Sequence, residues 1–282
     1  MKAFEPVRVL SREGDAERER EDALAVEEPL EIRIREEGAA APEPFVVTMR
    51  TPGDDDGLAA GLLYAEGVLS APEDLLSLAG PSDPRMGREM RENVRIATVR
   101  PAAAARARAL RRATVMGSAC GVCGRTSIDS ILPPERPPIA SRLRVSADVL
   151  YALPGRLRES QSVFARTGGL HAAGLFGSDG RLQAVCEDIG RHNATDKLVG
   201  RLLLQRGLPA AESVLMVSGR AGFEIVQKAY NAGIPIVAAV SAPSSLAVEL
   251  AESGGITLIG FLRERRFNVY SHRGRVAETP TP

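Results

Sequence analysis

Two of the three cysteines in this 282-residue chain, Cys120 and Cys123, stand three positions apart in the run T-V-M-G-S-A-C-G-V-C-G-R-T-S. Thiols at that spacing can share one metal ion, close a small disulfide, or supply a nucleophile with a companion. Gly121 and Gly124 let the backbone take positive φ and bring amide N–H groups close to whatever a sulfur carries. Arg125 adds a cation that favours thiolate over thiol. A zinc site would need two more ligands, and His171, His192 and His272 lie far along the chain without the paired spacing of a finger. The deaminase signature fails as well, because no H-x-E precedes the pair. A thioredoxin-like site wants its cysteines at a helix start, whereas glycines surround these. A loop carrying a reactive thiol, with no bound metal, fits best. Cys186, inside an apolar stretch, reads as a small buried hydrophobe.

Polar residues converge elsewhere. Residues 187–193, E-D-I-G-R-H-N, pack two acids, a guanidinium, the imidazole of His192 and an amide between a strand end and a helix start, where ligands of α/β sheets sit. Asn193 reads equally well as a helix N-cap, and Asp196 with Lys197 as a surface pair. Paired glycines at 168–169, flanked by Arg166, Thr167 and His171, allow a ligand close to the backbone or simply make a turn. Ser218, Gly219 and Arg220 follow a buried strand and open a helix, as anion sites do, but match no nucleotide fingerprint. Ser244 and its neighbours form a second such turn, with capping as the default role. Phe261, Leu262, Arg263, Glu264, Arg265 and Arg266 put three arginines just past the last predicted strand. Such a cluster is usually solvated surface. Beside two helix-start turns it would also suit a polyanion such as a nucleotide pyrophosphate.

The elements that must position these groups are legible in the hydropathy pattern. Residues 11–22 are nearly all charged and read as a solvated, disordered tail spanning 1–22. Residues 23–112 predict a small α+β domain, with period-two strands at 30–34 and 45–49 and a helix opened by Asp54, Asp55 and Asp56. A short strand at 113–116 leads into the cysteine loop, and the prolines of 132–138 make a linker. From 139 to 282, strands alternate with helices of about ten residues on short glycine-containing loops, which predicts an α/β layer with parallel strands. Lys+Arg and Asp+Glu balance at 36 each, so no field marks a nucleic-acid or membrane-surface binder. No apolar run approaches a membrane span. Three cysteines predict a reducing, cytoplasmic compartment rather than a disulfide scaffold.

Taken in order, the motifs resemble the formate dehydrogenase accessory sulfurtransferase (FdhD/NarQ) family. The matching segments are M-R-T-P-G-D-D at 49–55 with Glu66-Gly67, C-G-V-C-G at 120–124, T-G-G-L-H-A-A at 167–173 and E-D-I-G-R-H-N-A at 187–194. S-G-R at 218–220, A-G-I-P at 232–235, V-S-A-P-S-S-L at 240–246 and Gly260-Phe261 continue the series. The charged start and the Arg-rich stretch before the cysteines depart from the pattern. The resemblance implies a sulfurtransferase that takes persulfide sulfur from a cysteine desulfurase. The acceptor would be the molybdenum (or tungsten) bis-guanine-dinucleotide cofactor, bound as substrate before insertion into formate dehydrogenase. It implies a homodimer, and a larger three-layer domain similar to cytidine deaminase without the zinc site. It assigns the persulfide to Cys120 with Cys123 as companion, and the guanine dinucleotide to residues 261–266. A rival reading is a non-catalytic chaperone that binds the cofactor and docks on the dehydrogenase. A third is structural zinc bridging two protomers through their cysteine pairs.

Overall fold

A computed structural model describes residues 2–83, 85–112 and 137–277. The strand predicted at 113–116, the Cys120–Cys123 motif and most of the proline segment lie outside the described residues.

The charged start is not a disordered tail. β1 (Phe4–Glu13) and β2 (Ala16–Ala25) pair antiparallel over their full length as a long hairpin. Its mixed charges are exposed, as expected, but cross-strand pairs such as Arg12–Glu17 at 3.6 Å complement one another along the ladder. A mixed-sign run can therefore be ordered.

β3 (Glu28–Glu36), β4 (Glu43–Arg50), β5 (Leu75–Ala79) and β6 (Val94–Val99) form a four-stranded sheet in the order β4-β3-β6-β5. The period-two pattern does what it predicts: Leu30, Ile32 and Ile34 are buried while Glu31 and Arg33 pair on the other face. α1 (Asp55–Ala65) and α3 (Pro101–Arg112) contribute to the same core, and α2 (Arg88–Glu92) is a short surface turn. The acids at 54–56 serve helix and ion-pair roles. Asp55 takes two 3.0 Å hydrogen bonds from the buried Arg50, and Asp56 accepts one from Arg95 at 2.7 Å.

In the second half a short parallel pair joins β7 (Val145–Ser146) to β14 (Val276–Ala277). Between them run α4 (Ala147–Glu159), α5 (Phe164–Thr167), β8 (His171–Phe176), β9 (Leu182–Asp188), α6 (Arg191–Leu204) and β10 (Val214–Val217). The chain continues through α7 (Phe223–Asn231), β11 (Ile236–Ala239), α8 (Ser245–Ser253), β12 (Thr257–Arg263) and β13 (Arg266–Val269). The sheet order is β13-β12-β11-β10-β8-β9. β10, β11 and β12 are parallel, as the alternation of strands and helices predicts; β8, β9 and β13 run antiparallel, so the sheet is mixed. Side-chain alternation supplies both faces. Ala172, Phe176, Val214 and Met216 meet Leu150, Leu153 and Leu157 of α4. Ala173, Leu175, Leu215 and Val217 meet α6 and α7, behind which α1 packs.

The seam between α1 and α6 is built of glycines. A Cβ on Gly61 would land on the Asp196 carbonyl, and one on Gly200 on the Gly57 carbonyl. Missing side chains let the two backbones close, and Tyr64 adds a 2.6 Å hydrogen bond to the Asn231 carbonyl.

Candidate functional site

Three strand-to-helix or strand-to-strand turns meet at the carboxyl ends of the parallel strands. The Ser218 turn follows β10, the Ser241 turn follows β11, and the turn beginning at Phe261 ends β12. Main-chain bonds tie them into one rim. Ser218 N–H donates to the Ala172 carbonyl at 3.0 Å, Ser244 N–H to Ala221 at 3.2 Å, and Phe261 N–H to Ser241 at 3.1 Å. Ser218 Oγ accepts from Ala172 N–H at 2.9 Å. Ser244 is a helix cap, its Oγ accepting from Ala247 N–H at 3.3 Å, so the plainer of its two readings holds.

The arginine set sits in a hairpin, not past the last strand. β12 extends to Arg263, Glu264 and Arg265 make the turn, and Arg266 begins β13. A register shift between Gly260 and Arg263 puts Phe261 at φ 53°, left-handed for a bulky aromatic, and leaves its ring 37% exposed. Bulges re-aim side chains in this way, and such backbone strain gathers where function needs it. The Leu262 side chain is fully buried under α4, which leaves only its backbone for a ligand. Arg265 is drawn to α4, 3.2 Å from Asp148 and over the Tyr151 ring. Arg220, Arg263 and Arg266 make no hydrogen bond or ion pair among the described residues, and all three are exposed. They are the free cations of the rim.

His192 lies on the first turn of α6, paired through Nδ1 with Glu224 of α7. His171 and Arg191 crowd Gly219, whose absent Cβ would lie 3.4 Å from the His171 ring and 3.5 Å from Arg191. Burial, then the nearby Arg191 guanidinium, hold His171 below the ordinary histidine value against the opposing pull of Asp188. Beside it a cleft of about 410 Å³ is lined by Arg158, Gln161, Phe164, His171, Ser218 and Val240. Arg158 stacks on Phe164 at 3.8 Å. Gln161 Nε2, Arg191 Nε and His192 Nε2 are buried with no hydrogen-bond partner among the described residues. Of these only Gln161 lines the cleft, where a bound group could reach its amide. Sequence reasoning missed Gln161, Arg191 and Glu224 as site residues. Arg191 and His192 carried a signal in their dense polar segment; Gln161 carried none.

The rest of that segment is a lock, not a surface. Asp188 is fully buried, bridged to Lys197 Nζ at 2.7 Å and bonded by Thr51 N–H, Gly190 N–H and Asn193 Nδ2. Lys197 also donates to the Thr51 carbonyl at 2.8 Å. Gly190, not Asn193, occupies the N-cap; Asn193 reaches across to the Met49 carbonyl at 2.7 Å. Asp196 and Lys197 are not a surface pair. Each is buried and separately paired, Asp196 with Lys228 at 2.5 Å, and burial pushes the Asp196 carboxyl up against the pull of that ammonium. These polar groups pin α6 to the end of β4.

A model of the FdhD/NarQ family matches residues 25–277. The chain belongs to that family. Among curated relatives, it is 50% identical over 260 residues to the sulfur carrier protein FdhD of Streptomyces coelicolor, covering 92% of this chain and 90% of that one. The sulfur carrier protein FdhD of Sulfurisphaera tokodaii is 42% identical over 270 residues, with 96% and 98% covered. A crystal structure of a protein from Desulfotalea psychrophila, described as a formate dehydrogenase accessory protein, superposes with a TM-score of 0.74 over 98% of this chain and all of that one. At 22% identity that likeness shows the fold alone. Among the described residues no helix is long and apolar enough to cross a membrane, and no cluster of His, Cys, Asp and Glu could hold a metal ion.

Proposed function

We propose that the chain is a sulfurtransferase that carries persulfide sulfur from a cysteine desulfurase to the molybdenum (or tungsten) bis-guanine-dinucleotide cofactor of formate dehydrogenase. The observation that carries the reading is the pair Cys120 and Cys123 in a chain whose curated relatives are named sulfur carrier proteins. Cys120 thiolate attacks the terminal sulfur of the donor's persulfide; the donor S–S bond breaks and the donor cysteine leaves as thiolate. Cys120 then holds the sulfur. Cys123 thiolate attacks the inner sulfur, forming a Cys120–Cys123 disulfide and expelling the outer sulfur at the hydrosulfide level toward the metal. A thiol reductant then reopens the disulfide.

The substrate cofactor is anionic through its pyrophosphates. Arg220, Arg263 and Arg266, exposed and free of acid partners among the described residues, supply charge-assisted donors. The Gln161 amide, which lines the cleft, supplies a hydrogen bond, and the exposed Phe261 a stacking face. Three further parts of the reading rest on the same resemblance: a cytidine-deaminase-like larger domain, a homodimer, and a place in the cytoplasm. The strand order with β8 antiparallel to three parallel strands supports the first.

The test is intact-protein mass after incubation with a cysteine desulfurase and cysteine, on the wild type and on each Cys→Ala variant. The expected result is a reducible gain of one sulfur, lost with Cys120→Ala. No gain on the wild type would leave the cofactor-binding chaperone as the better reading.

A further inference from the structure

A second basic site lies at the opposite end of the sheet. A cleft of about 510 Å³ is lined by Ser141, Arg142, Leu143, Arg144, His272, Gly274 and Arg275. Leu143 and Val145 are buried, so strand-like alternation turns Arg142 and Arg144 to the same solvent-facing side. The segments carrying these bases are fastened together by the pairing of β7 with β14. Arg275 fastens them again, donating to the Ile139 carbonyl at 3.0 Å, to Thr257 Oγ1 at 3.3 Å and to the Ser141 carbonyl at 3.4 Å.

All the acceptors of Arg275 are neutral. Arg142 and Arg144 have no hydrogen bond or ion pair among the described residues. No carboxylate lines the cleft; Glu252, 3.5 Å from His272 Nε2, stands outside the lining. Elsewhere in this chain, of zero formal net charge, arginines such as Arg33, Arg95, Arg106 and Arg201 stand against Glu31, Asp56, Asp74 and Asp54. Three guanidinium groups converging on one concavity without an acid are a local excess of positive charge. Arg275, part-buried and held by carbonyls, is oriented before any ligand arrives.

We propose that this cleft binds a small phosphate-bearing anion of the pyrophosphate class. Guanidinium groups bind phosphate oxygens by charge-assisted hydrogen bonds, and the concavity is larger than one phosphate needs. It is separate from the rim. Arg275 bonds Thr257 at the start of β12, whereas Arg263 lies at the other end of that seven-residue strand.

The test is calorimetric titration of the full chain with sodium pyrophosphate at low salt, in an Arg220→Glu/Arg263→Glu/Arg266→Glu background that removes the rim's free cations. The expected result is a binding isotherm that weakens on the order of tenfold or more when Arg142→Glu and Arg144→Glu are added. Both of those residues are exposed and unpaired, so an unchanged thermal midpoint is expected and checked alongside. Arg275→Gln is the second variant, expected to weaken binding with Arg142 and Arg144 intact. A nucleoside diphosphate titrated in parallel separates a phosphate ester, bound more tightly than pyrophosphate, from the free anion. No pyrophosphate isotherm, or one indifferent to Arg142→Glu/Arg144→Glu, overturns the proposal. So does an oligoglutamate peptide binding where pyrophosphate does not, which would assign the cleft to an acidic protein segment.

Discussion

Burial pushes the Cys186 thiol up to about 12, an effect that outweighs the nearby Arg201 guanidinium; Asp54, 3.6 Å from the sulfur, adds to it. A thiol held protonated is a poor nucleophile, so Cys186 should take no sulfur from a donor in the folded chain. The same shift has a stability consequence. The unfolded thiol ionises near its ordinary value of about 8.5 while the folded one keeps its proton, so rising pH favours unfolding. Between about pH 8.5 and 12 the wild type should lose stability with an added slope approaching about 1.4 kcal/mol per pH unit. Urea denaturation at pH 8 and at pH 10 measures it, and Cys186→Ala should lack that slope. Equal slopes in the two proteins would place the sulfur in contact with water. Asp188 and Lys197 make the complementary point about legibility. Charged residues are almost never fully buried unless paired, so Lys197 by type alone reads as surface, while Asp188 stands out only by its dense polar segment. Only the fold reveals that Thr51, more than 130 positions earlier, bonds both of them.

At the scale of elements, the α1–α6 seam leaves no room for a Cβ at Gly61 or Gly200. Gly61→Ala must force the helices apart, because the obstacle is the Asp196 backbone and not the end of a flexible side chain. The expected cost is about 3 kcal/mol, the upper end for overpacking, read from urea denaturation. A loss below about 0.5 kcal/mol would mean that the helices stand further apart. Alternation and capping made much of the fold legible: Leu30, Ile32 and Ile34 pointed inward as read, and Ser146 caps α4 through a 3.3 Å bond from Val149 N–H. β5 and β13 were not legible. Leu75–Ala79 is half exposed with no clean period, and Arg266–Val269 follows an aromatic in a left-handed conformation that no propensity favours. The rim was legible where glycine and serine follow an apolar strand, as at 218–220. Gln161 was not, since its importance comes from what surrounds it.

For the molecule as a whole, the β1–β2 hairpin is the part most nearly independent of the rest. The family match begins at residue 25, where the hairpin ends, and its contacts with the rest run mainly to α5, with Phe4 beneath Arg166 at 4.9 Å. Two strands alone are marginal in water, so the hairpin draws on the core more than it supports it. Deleting residues 2–24 should leave the thermal midpoint of the remainder within about 5 °C of the full chain. A larger fall, followed by circular dichroism, would show that the hairpin braces α5 and the cleft beside it.

The rim carries a different consequence, for anyone who maps this protein by random mutagenesis. Its turns are joined through main-chain amides and carbonyls at Ser218, Phe261 and Ser244, which every amino acid except proline provides. Substitutions at Ser218 and Ser244 lose the side-chain bonds from Ala172 N–H and Ala247 N–H but leave these main-chain bonds in place. Loss-of-function alleles at Arg220, Arg263 and Arg266 would therefore report on the bound substrate, while alleles at Asp188, Lys197 and Gly61 would report on how much folded protein the cell retains.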